Sequence, residues 1–137
     1  IIYGGLVAGL KAGYLFQTFP KMGSAWIPEM SVPELKWRVI TEGHVAVQFI
    51  HRILGTILLS LAAILYFKTR TYPKGTEERK CFYLLFMALL IQFGLGIATV
   101  LLGVQLHTAL LHQTGAFLLL SISLLVIHKI RQPLTAL

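Results

Sequence analysis

Three apolar runs, Val45 to Phe67, Phe82 to Val104 and Thr108 to Ile127, constrain the fold of this chain more than any other feature. Each is about 20 residues or longer, the length an α-helix needs to cross ~30 Å of hydrocarbon at ~1.5 Å per residue. Within a bilayer the backbone N–H and C=O groups have no water to bond, so helices are the natural way for such runs to cross. Charged residues make up 12% of the chain and hydrophobic ones 56%. A soluble domain carries about twice that charge. The fold class expected is all-α: a polytopic transmembrane four-helix bundle forming a single membrane domain over residues 1–137, its core built helix against helix.

The fourth helix of that bundle is assigned to Ile1–Phe16, which is apolar and rich in small residues, with one charge at Lys11. Its length gives roughly 24 Å, short of the hydrocarbon core, so it reads as a truncated span that begins upstream. Gly5, Gly9 and Gly13 form a small-residue stripe along which another helix can approach closely. Residues 17–44 read as a loop, with Pro20, Pro28 and Pro33 to break helices and Trp26 and Trp37 suited to the membrane–water interface. This loop is expected on the outer surface, with a lid over the site below as the sharper reading.

The Lys/Arg distribution orients the bundle. The 68–80 loop and the tail together hold seven basic residues, the 17–44 loop three and the 103–107 turn none. Cytoplasmic loops carry the excess, so the 68–80 loop and the C-terminus are expected in the cytoplasm. The net charge of +7 therefore reads as membrane orientation. No basic face with interleaved aromatics suggests nucleic acid as a partner.

Within this scaffold the His51–Arg52 pair stands out, because ionisable side chains are costly in hydrocarbon and mark functional sites. From the outer end His51 lies ~9 Å into its span and His112 ~6 Å into its own, nearly the same level. Two imidazoles facing each other from separate helices are suited to hold a haem iron from both sides. Gly55 follows His51 by four residues and Gly115 follows His112 by three, each on its histidine's face, leaving room for a flat macrocycle. Arg52 and Lys11 are candidates to pair with haem propionates, for which a guanidinium fork is well shaped; snorkelling to the interface is the plainer alternative. His44 and His107 read as interfacial or gating residues and His128 as interfacial.

Other chemistries find little support. Cys81 is the single cysteine, so neither an internal disulfide nor a cysteine-based metal site is expected; it reads as a buried small residue. Nucleophile-elbow, Walker and zincin motifs are absent from the sequence, and no acidic residue falls within a span, where a proton pump would place one.

The segments Gly-Gly-Leu-Val-Ala-Gly-Leu-Lys-Ala-Gly (4–13), Thr-Phe-Pro-Lys-Met-Gly-Ser-Ala-Trp-Ile-Pro-Glu (18–29), Val-Gln-Phe-Ile-His-Arg (47–52) and Leu-His-Gln-Thr-Gly-Ala (111–116) resemble the C-terminal half of the haem A synthases. The resemblance implies a protein of two similar four-helix bundles that oxidises a ring methyl of haem O to a formyl group. In that family the N-terminal half is thought to hold haem O as substrate and carries Glu-x-x-His-Arg. The C-terminal half holds a haem b through two histidines, by position His51 and His112. Here Gln48 stands three before His51, in keeping with the cofactor-holding half. The resemblance also implies a bacterial cytoplasmic (inner) membrane setting, a role in cytochrome oxidase assembly, and as partners lipid, haem, the missing N-terminal half or a second copy, and haem O synthase or an electron donor. A b-type cytochrome subunit without catalytic chemistry of its own, and a structural or carrier bundle without haem, remain the alternatives.

Overall fold

The computed structural model describes residues 1–29 and 38–131. Pro33 and Trp37 of the expected outer loop, and the tail beyond Arg131, lie outside the described residues. The described chain is all-α: α1 (Ile2–Gly9), a short 3-10 turn (Ala12–Tyr14), α2 (Val39–Glu42), α3 (His44–Thr69), α4 (Glu77–Leu101) and α5 (Leu106–Arg131). Three of these, α3, α4 and α5, are long and apolar enough to cross a membrane.

The three long helices follow the three apolar runs, with shifts at their ends that have local causes. α4 begins at Glu77, five residues before the apolar run, because Glu77 and Glu78 place negative charge against the positive end of the helix dipole. It ends at Leu101 in a left-handed cap: Gly103 has φ 70°, the Gly103 N–H donates to the Val100 carbonyl and the Val104 N–H to the Thr99 carbonyl. Val104, expected inside the span, instead has φ 56° and forms the turn.

The first segment departs further from expectation. A helix over Ile1–Phe16 does not form, because α1 stops at Gly9 and Lys11 adopts a left-handed conformation with φ 52°. The residues Ile2–Gly9 supply about 12 Å of helix. The backbone then winds once through Ala12–Tyr14 and descends into the loop.

α4 is the middle helix, packed against both α3 and α5, while α1 lies on α3. α3 and α5 make little direct contact with each other. At one end of the bundle the Thr99 hydroxyl bridges to the Thr108 carbonyl at 3.1 Å, tying the end of α4 to the start of α5. Val104 at the turn lies beside Gly13, and Gln17 beside Gly103, so the segment after α1 and the α4–α5 turn share this end. At the other end Tyr66 of α3 stacks on Phe86 of α4 at 5.1 Å, and Lys129 of α5 pairs with Glu77 of α4 at 3.1 Å.

Few apolar side chains are fully buried among the described residues. The main ones are Ala12, Met22, Ala46, Val47, Ala62, Cys81 and Val126, and the burial of Cys81 agrees with its reading as a packing residue. Leucines and isoleucines of α3, α4 and α5 point outward in large numbers. In water such a surface would aggregate; in a bilayer lipid tails or a further helix cover it at little cost.

Candidate functional site

His51 of α3 and His112 of α5 meet across α4, with ring centroids 6.4 Å apart and planes at 82°. Neither imidazole reaches water freely; both are partly buried near the bundle end that carries the α4–α5 turn. Two imidazoles bound to one metal from opposite sides, with metal–nitrogen bonds of about 2 Å, have centroids roughly 6 Å apart. The centroid spacing of the pair matches that separation. Among the described residues no three His, Cys, Asp or Glu side chains gather into a metal site, so His51 and His112 are the only two such donors the described site offers an ion. A porphyrin supplies four.

Two further glycines, Gly4 and Gly96, stand next to the rings. A Cβ on Gly4 of α1 would lie 3.6 Å from His51 Cε1, and one on Gly96 of α4 would lie 2.9 Å from His112 Cε1. Side chains at these two positions would press on the imidazoles. The faces expected to be open at Gly55 and Gly115 are filled by α4. Phe93 lies 3.6 Å from where a Gly55 Cβ would be, and a Cβ on Gly115 would collide with Gln92 Oε1. Gly55 and Gly115 thus stand where α4 packs against α3 and α5.

Gln92 is the residue the sequence reading passed over. It interrupts the apolar run of α4, is almost fully buried, and puts Nε2 2.8 Å from the His112 carbonyl and 3.0 Å from His112 Nδ1. A lone amide inside a membrane helix carried the signal, since a buried polar group requires a partner. Which helix supplies that partner depends on inter-helix register, and periodicity does not contain it.

Arg52 and Gln48 project from the face of α3 that meets the loop. The Arg52 guanidinium donates to the carbonyls of Thr18 (2.7 Å), Phe16 (2.7 Å) and Lys21 (3.4 Å). Gln48, 2% exposed, donates to the carbonyls of Phe16 (3.1 Å) and Gly13 (3.5 Å). These five contacts satisfy backbone groups that have no ladder of their own. The loop closes on itself as well: the Thr18 hydroxyl donates to the Lys21 carbonyl and accepts from the Gly23 N–H, both at 2.8 Å. Phe19 then meets Phe93 of α4 edge to face at 6.1 Å.

The structure thus brings Arg52 to the loop carbonyls. Lys11 sits exposed at the break after α1, seven residues beyond the Gly4 that lies against His51. His44 begins α3 and His107 lies in the first turn of α5, both exposed and at the loop end. His128 lies in the last turn of α5, at the far end.

Comparison with known proteins points to one family. The family model described as a cytochrome oxidase assembly protein, COX15-CtaA, matches residues 1–124. The chain belongs to the COX15-CtaA family. Heme A synthase of Nitrosospira multiformis is 38% identical over 133 residues, covering 96% of this chain and 37% of that protein. Heme A synthase COX15 of Bos taurus is 37% identical over 130 residues, 94% of this chain and 32% of its own length. Heme A synthase of Paracoccus denitrificans is 38% identical over 134 residues, 97% of this chain and 35% of its own. The chain spans about a third of the length of these curated relatives. No solved structure matches it. With three helices of membrane-spanning length, this COX15-CtaA chain is a multi-pass membrane protein.

Proposed function

We propose that the chain is the cofactor-holding part of a haem A synthase, in which His51 and His112 would hold a haem b between them. Bound there, the haem supplies one-electron transfer toward the oxidation of the haem O ring methyl to a formyl group. The observation that carries the reading is the convergence of two imidazoles from separate helices to 6.4 Å. The chain's own residues hold and shield. Gly4 and Gly96 keep side chains off the imidazoles, and Arg52 and Gln48 seal the loop end by fastening the segment Gly13–Lys21 to α3. Gln48 spends its amide on carbonyls and has no proton to exchange, which favours holding over acid–base work. Substrate haem O belongs to the remainder of the protein or to a second copy, and the protein's setting is a bacterial cytoplasmic membrane.

The test is a reduced-minus-oxidised spectrum of the purified protein, which is expected to show a b-type band of a low-spin, six-coordinate haem. His51→Ala and His112→Ala each remove the six-coordinate signature. A wild type without the band, or variants with an unchanged one, overturns the reading.

A further inference from the structure

Gln92 makes contacts that packing alone does not require. Its Nε2 stands 2.8 Å from the His112 carbonyl, which can only accept, so the amide nitrogen faces His112. The second amide hydrogen is then directed to Nδ1 of the same residue, 3.0 Å away. With a donor at Nδ1, the neutral imidazole accepts there and carries its proton on Nε2. The other end of the amide, Oε1, is buried and has no hydrogen-bond partner among the described residues. A buried acceptor left unpaired is unfavourable, and Gly115 keeps the space around it clear.

A histidine that binds a metal through Nε2 cannot keep a proton there. In its neutral form it carries the proton on Nδ1, and ligating histidines generally donate that N–H to a carbonyl or carboxylate. The amide nitrogen of Gln92 would then oppose it donor to donor. The unpaired Oε1 is the acceptor within reach.

We infer that Gln92 is the positioning residue of His112, and that its amide turns when Nε2 becomes a ligand, giving up its bond to the His112 carbonyl and bringing oxygen in place of nitrogen to Nδ1. One N–H bond breaks at Nε2 and one forms at Nδ1, so the proton count of the ring is unchanged. With Nδ1 engaged in both states, Nε2 is the nitrogen left to face His51. The inference rests on the bis-histidine reading for its second half only, since the clamp on Nδ1 exists without any bound group.

The experiment uses the full-length protein with Gln92→Leu and Gln92→Glu, and reads the haem midpoint potential by spectroelectrochemical titration. Leu removes the acceptor from Nδ1–H, makes His112 a poorer electron donor and shifts the potential upward. Glu is a stronger acceptor and shifts it downward. Opposite signs at an unchanged six-coordinate spectrum support the reversal; equal potentials, or shifts in one direction for both, overturn it. If Gln92→Leu does not fold, Gln92→Met, which keeps the chain length and offers no comparable hydrogen bond, takes its place. In haem-free protein, 15N-histidine NMR is expected to find His112 with its proton on Nε2, a preference lost in the Leu or Met variant. A proton on Nδ1 in the haem-free wild type overturns the clamp. A wild type without a b-type band removes the haem reading and the reversal, while the NMR result still decides the clamp.

Discussion

At the scale of single residues, the site is a matter of what α4 leaves out. Gly96 faces His112 so closely that a methyl group would stand 2.9 Å from Cε1. Gly→Ala in a helix normally gains about 1 kcal/mol in propensity, whereas an added carbon in a tight site costs about 1–3 kcal/mol, so the clash decides. Gly96→Ala is expected to lower haem occupancy of the purified protein several-fold, and Gly96→Leu to abolish it, as read by pyridine haemochrome per protein; full occupancy in Gly96→Leu would show that the ring has other room. His51 and His112 were legible in the sequence because an imidazole inside an apolar run is costly and rare. Gln92, Gly96 and Gly4 were not: each acts on a residue of a different helix, and which residues face each other across helices is set by packing. The neighbours of Gly55 and Gly115, Phe93 and Gln92, were hidden for the same reason.

At the scale of elements, the loop after α1 is held from α3. Three carbonyls converge on Arg52, and a charged donor to a carbonyl is worth about 1.5–3 kcal/mol when kept. Arg52→Ala is expected to speed proteolysis within residues 17–29 several-fold in detergent and to reduce haem retention, while the remaining haem stays six-coordinate. Arg52→Lys, without the fork, is expected to recover only part of the loop's protection. Equal cleavage rates in wild type and Arg52→Ala would argue against the anchor. The three long helices were legible because length and hydropathy alone define them. The break at Lys11 was not, since nothing in an apolar, glycine-rich segment announces a left-handed residue; the turn follows from what the following carbonyls bond to on α3.

At the scale of the whole molecule, the loop end and the charged end differ in a way that topology mapping can read. The 68–80 segment carries five basic residues, and the α4–α5 turn carries none. In a Cys81→Ser background, a cysteine at Gln105 is expected to react with an impermeant maleimide added to intact spheroplasts, and one at Lys74 only after lysis; the reverse pattern would invert the bundle. The orientation is an expectation from charge counts, which the labelling decides; the all-α class needed only hydropathy, so it was visible before any contact was known. The order in which helices pack was not. That order has a consequence for assembly. α4 touches both neighbours while α3 and α5 scarcely touch each other, so a group bound by His51 and His112 ties together two helices that are otherwise held only through a third. Occupancy then becomes a cross-link. Ligand present at a hundred times its Kd adds about 2.7 kcal/mol to the folded state, and thermal unfolding in detergent should rise with haem supplied during expression. Haem supply would then govern how long each newly made bundle survives, before any electron has moved through it.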